Sequence, residues 1–192
     1  LAPTLSLQVA WLAATLLALL GAAVVARQTG GPSDGLPRML FLTLAPLAPL
    51  AAVVAALSAA SEPAPEIALA TPASRLRIGA VRAGTVMIAA IAVGLIASAV
   101  LPGGWIGAVV WLLPAVALSG LGALSAGRVS PTMAVGWLGC GWVVIVAVAA
   151  ALTDDRLAAF RPGAQGLYLG VAVIAAAAMA LRPDLLNLRS QP

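Results

Sequence analysis

Apolar residues run almost without interruption along this chain, and the polar positions gather in a few short stretches that divide it. A bilayer core needs about 20 apolar residues of helix. By that criterion the pattern predicts six spans, at residues 5–26, 39–60, 84–101, 105–126, 132–152 and 164–181. Residues 5–26 are long enough to cross a bilayer and are therefore read as a span rather than a cleaved leader. Residues 27–38 are rich in Gly and Pro and form a loop outside the membrane, while Leu-Pro-Gly-Gly at 101–104 is short enough only for a tight turn. Pro46 and Pro49 fall inside the second span, where each removes a backbone donor. The helix should bend or locally unwind there, as a tolerated kink or as a hinge facing a substrate. Pro114 lies inside the fourth span. Gly136, Gly139 and Cys140 in the fifth, and the Ala-rich stretch 175–178 in the sixth, are small enough to let another helix approach closely. The expected fold is an all-α, polytopic integral membrane protein, with residues 1–192 forming a single transmembrane domain.

The longest polar interruption is SEPAPEIALATPASRLRIGAVR, at residues 61–82, which holds three of the ten arginines. Pro63 and Pro65 suit the first turn of a helix, where a missing N–H has no partner to lose. Thr71-Pro72 is a second start, with the Thr hydroxyl as N-cap and Pro at N1. Two starts this close predict an elbow. Arg75 and Arg82 share one face of the second helix, and Leu76, Ile78 and Val81 carry apolar surface into the third span. A cationic collar at the mouth of a span marks the cytoplasmic boundary.

Glu66, Thr71, Pro72, Ser74, Arg75, Ile78 and Arg82 together give this segment its resemblance to a known family. Residues 66–82 resemble the loop between the second and third spans of type-2 ATP-binding-cassette export permeases: a Glu, a short apolar run, Thr-Pro-x-Ser-Arg, an aliphatic residue and a later basic one. Val81 stands where a Gly is usual, and Arg82 where Lys is commoner. The resemblance implies that residues 61–82 couple to a separate cytoplasmic ATPase, with Glu66, Thr71, Pro72, Ser74, Arg75 and Arg82 in the contact. It further implies a second permease subunit, the same or related, to complete the translocation path. No cofactor is expected in this chain, and ATP and Mg are expected on the partner ATPase.

Composition agrees with a membrane protein. The chain is 62% hydrophobic and 8% charged, with mean hydropathy +1.10, against about 45–50% and about 25% in soluble domains. The net charge of +4 comes from arginines without lysine and accompanies no basic block with interleaved aromatics, so it argues for topology and membrane lipids rather than nucleic acid. Cys140 stands alone and His is absent, which removes disulfides, thiolate clusters and the commonest metal ligand. Thr153 is a candidate N-cap for a short helix beginning with Asp154 and Asp155. Consecutive carboxylates on a helix do not face each other, so neither a metal site nor an acid/base pair is expected from them. The five Trp are expected to pack or to anchor at interfaces.

Six spans put both termini on one side. With the termini and the elbow inside, Arg75, Arg77, Arg82, Arg128, Arg182 and Arg189 are cytoplasmic and Arg27, Arg38, Arg156 and Arg161 are outside, the direction of the positive-inside rule. The expected location is the plasma membrane, multi-pass, with both termini cytoplasmic. No ionisable residue falls mid-span, and no Gly-rich phosphate loop is present. That favours a non-enzymatic carrier energised from outside, the permease subunit of an ATP-driven exporter. A non-transporting sensor or scaffold that docks a cytoplasmic partner through the same elbow is the alternative.

Overall fold

The computed structural model of the protein describes residues 36–61, 84–85, 87–96, 110–125 and 128–181. These residues form helices and their connections, with no strand among them. In chain order the helices are α1 (Leu36–Leu44), α2 (Leu47–Ser61), α3 (Met87–Ile96), α4 (Leu112–Ser125), α5 (Pro131–Thr153) and α6 (Pro162–Ala180), with one 3-10 turn at Ala158–Phe160 before α6. The predicted spans 5–26 and the elbow 61–82 lie outside the described residues, apart from Ser61.

Three stretches are long and apolar enough to cross a membrane: Arg38–Leu57, which takes in most of α1 and α2, then Pro131–Thr153 and Pro162–Ala180. At 1.5 Å per residue they reach about 30, 34 and 28 Å, close to the thickness of a hydrocarbon core. They overlie the predicted spans two, five and six. The shorter apolar helices α3 and α4 fall within predicted spans three and four.

Local chemistry sets several boundaries. Ser130 is extended, its Oγ accepts the Met133 N–H at 3.4 Å, and Pro131 follows at the first helical position, so α5 starts there. Arg161 is likewise extended before Pro162, which starts α6. Pro114 sits in the first turn of α4, where its missing N–H is harmless, and the Ala115 N–H already reaches the Trp111 carbonyl at 3.1 Å. At the other end of α5, Thr153 is not an N-cap. It is the last helical residue, its hydroxyl donates back to the Ala149 carbonyl at 2.7 Å, and Asp154 closes the helix in the left-handed region with φ 52°. Thr serves either role with the same hydroxyl, and here the preceding turn claims it.

The bundle is built around α4. Its two glycines face opposite ways because two residues advance a helix by about 200°. A Cβ at Gly120 would lie 3.0 Å from Ala175 Cβ of α6, and one at Gly122 would lie 2.8 Å from Leu50 Cδ1 and 2.9 Å from Val54 Cγ2 of α2. Missing side chains therefore bring α6 and α2 close on either side. The core between these helices holds Phe41, Leu42, Leu50, Val54, Trp111 and Leu118, joined by Trp142 and Val146 from α5. Burial is uneven: the Arg38–Leu57 segment is 61% buried, whereas α5 and α6 are 11% and 6% buried within the chain. Apolar on every face and covered on few, α5 and α6 are suited to lipid or to another helix.

Candidate functional site

The centre of the molecule is the joint between α1 and α2. Without N–H groups, Pro46 and Pro49 cannot serve the carbonyls of Leu42 and Ala45 one turn earlier, and the helix breaks into a turn at Ala45 and Pro46. Both prolines are fully buried. Irregular backbone at membrane depth persists only where protein or water satisfies it. A bond into this joint comes from α5: Trp142 Nε1 donates at 2.8 Å, in a buried setting, to the carbonyl of Thr43, next to the released carbonyl of Leu42. The Thr43 hydroxyl donates back to the Met39 carbonyl at 2.7 Å, so the residue uses both of its polar groups.

Trp142 is held in position by two aromatic neighbours. Its ring meets Phe160 edge-on at 5.9 Å and 78°, and Tyr168 at 5.6 Å and 71°. Such pairs add about 0.5–1.5 kcal/mol beyond burial. The Tyr168 hydroxyl donates to the Ala159 carbonyl at 2.9 Å, which ties α6 to the 3-10 turn. The bend or unwinding expected from the two prolines is present as a turn at Ala45 and Pro46, and the Trp142 that bonds its Thr43 carbonyl is itself packed against the 3-10 turn and α6.

One end of this assembly is polar. Asp155 accepts the Leu157 N–H at 3.0 Å through Oδ1 and pairs with Arg161 Nε at 2.7 Å through Oδ2. It thereby folds the connection between α5 and α6, next to Asp154 in the left-handed region. Asp155, Arg161 and Arg38 from α1 line a cleft of about 310 Å³ whose other walls include Leu42, Val110, Phe160 and Pro162. Among the described residues no group of three His, Cys, Asp or Glu side chains is placed to hold a metal.

The residues expected to touch a partner, Glu66, Thr71, Pro72, Ser74, Arg75 and Arg82, lie outside the described residues. Of the residues expected at helix contacts, Gly139 is half-buried with Leu47 Cδ2 at 3.7 Å from where its Cβ would be, an ordinary contact. Gly136 has nothing within 4 Å, and Cys140 is exposed. Among the described residues the tight glycine contacts are instead at Gly120, Gly122 and Gly94, where a Cβ would collide with the Trp111 indole. Sequence reasoning assigned no close contact to these glycines, and it expected Trp142 only to pack or to anchor. One signal was available for Trp142: a mid-span indole N–H needs an acceptor, and prolines in a neighbouring span release carbonyls.

With helices and no strand among the described residues, and three membrane-length apolar segments among them, the chain is a membrane protein. Compared with protein-family models, with curated proteins and with solved structures, it gives no match.

Proposed function

We propose that this chain is the permease subunit of an ATP-driven exporter, supplying half of a translocation path and docking a separate cytoplasmic ATPase through residues 61–82. The observation that carries this reading is the register of Glu66, Thr71-Pro72, Ser74-Arg75 and Arg82 in a polar segment directly after an apolar span. The proline break in the deeply buried Arg38–Leu57 segment supports it, because irregular backbone at membrane depth is a place where a path can open and close.

The proposed topology has six spans in the plasma membrane with both termini cytoplasmic. Arg38 before the second span and Asp155 and Arg161 after the fifth line one cleft, so these positions lie at the same end. That requires an even number of crossings between them, as spans two to five provide. A second permease subunit, the same or related, completes the path, and α5 and α6 offer it apolar surface.

The test is to express the chain with a candidate partner ATPase, one that carries a Gly-rich phosphate loop, and reverse the elbow charges. Glu66→Lys or Arg75→Glu should reduce co-purification or uncouple hydrolysis from transport, since truncating one member of a desolvated charge pair costs about 2–5 kcal/mol. Normal partner binding together with normal substrate-stimulated hydrolysis in both variants refutes the coupling role.

A further inference from the structure

The cleft beside Arg38 joins three features. First, its polar groups sit where three apolar segments end: Arg38 opens Arg38–Leu57, Asp155 lies just past Thr153, and Arg161 precedes Pro162. In a bilayer those are headgroup positions. Second, the charge there is unbalanced. Of the charged residues that line the cleft, Arg38 and Arg161 stand against Asp155 alone, and Asp155 is already engaged by Arg161. Among the described residues no carboxylate pairs with Arg38, which is half-buried. Third, the walls are apolar, and α6 beyond the mouth exposes Leu167, Val173 and Ile174.

We propose that this cleft binds the phosphate of an anionic phospholipid, with Arg38 as the principal cation, Arg161 at the opposite rim and the acyl chains laid on the apolar surface of α6. A guanidinium offers a phosphate two parallel donors, which suits Arg at this place. Arg161 is held towards the cleft by Asp155, whose Oδ1 is itself fixed by the Leu157 N–H, so the rim is organised before a lipid arrives. A free phosphate would find the same cations but no use for the apolar walls. This site stands whether or not the chain transports.

The test uses the full chain in a neutral detergent and follows its thermal midpoint while one additive is titrated. A ligand that binds the folded state raises the midpoint with its concentration. Phosphatidylglycerol should raise it saturably, while phosphatidylcholine and inorganic phosphate should not. Arg38→Gln should increase the half-saturating phosphatidylglycerol about tenfold, as expected for losing a hydrogen bond between charged groups. Arg128→Gln, at the opposite end of α5, should leave it unchanged. An equal rise with phosphatidylcholine, a rise with inorganic phosphate alone, or an unaltered response in Arg38→Gln overturns the proposal. Should Arg38→Gln fail to fold, the native chain in vesicles decides. Trp142 touches Phe160 at the cleft wall, so dibrominated phosphatidylglycerol should quench tryptophan fluorescence more than dibrominated phosphatidylcholine at equal mole fraction. Equal quenching overturns the proposal.

Discussion

Replacing Trp142 by Phe removes the donor to the Thr43 carbonyl while leaving an aromatic ring against Phe160 and Tyr168. A buried carbonyl left without its partner costs about 1–3 kcal/mol. Side-chain hydrogen bonds in membranes average only about 0.6 kcal/mol, because the unfolded chain finds other partners there. The Thr43 carbonyl belongs nearer the upper figure, since it lies at a break where the helix no longer supplies donors in regular order. Adding about 1 kcal/mol for the smaller ring, Trp142→Phe should destabilise by about 2–3 kcal/mol. The decisive background is Pro46→Ala. An unbroken helix offers the Leu47 N–H to the Thr43 carbonyl, so in that background only the packing loss should remain. The two changes should therefore couple by about 1–2 kcal/mol. The assay is denaturation in mixed micelles followed by far-ultraviolet circular dichroism, which does not depend on the lost indole. A cost of Trp142→Phe that is the same in both backgrounds, within about 0.5 kcal/mol, would refute the clamp.

Further outcomes follow from the glycine packing and from the ends of α5. Gly122→Ala and Gly94→Ala should each destabilise by about 1–3 kcal/mol through overpacking, since Leu50, Val54 and the Trp111 ring occupy the space. Gly136→Ala should leave stability unchanged, and Gly136→Leu should reduce oligomer size without unfolding the chain if that face seats a second subunit. In a Cys140→Ser background, cysteines at Ser130 and Asp154 should react with an impermeant reagent from opposite sides of the membrane, because α5 separates them by its full length. Labelling of both from one side would show that α5 does not cross.

Much of this arrangement is legible in the sequence because lipid tolerates so few alternatives. Uninterrupted apolar runs placed the segments now seen at Arg38–Leu57, Pro131–Thr153 and Pro162–Ala180 to within a few residues. Pro46 and Pro49 announced the break through their missing donors. What the sequence does not encode is which face of an all-apolar helix meets a neighbour. In a soluble protein polarity marks the outside, but α4 and α5 carry no such mark. Gly136 and Gly139 therefore looked as good for close packing as Gly120 and Gly122, and only the folded chain distinguishes them. The Trp142 contact with Thr43 joins residues far apart in sequence, so no local periodicity reveals it.

That separation also has a consequence in time. Thr43 and Trp142 stand 99 residues apart, which at about 5–20 residues per second of synthesis is an interval of about 5–20 s. During it the ribosome has delivered the broken helix but not the indole that serves it. The two halves, α1 and α2, have 9 and 15 residues, so each alone is too short to cross a bilayer, and they must enter as one unit with an unserved carbonyl at the joint. Water or an insertion factor has to attend that carbonyl until α5 arrives.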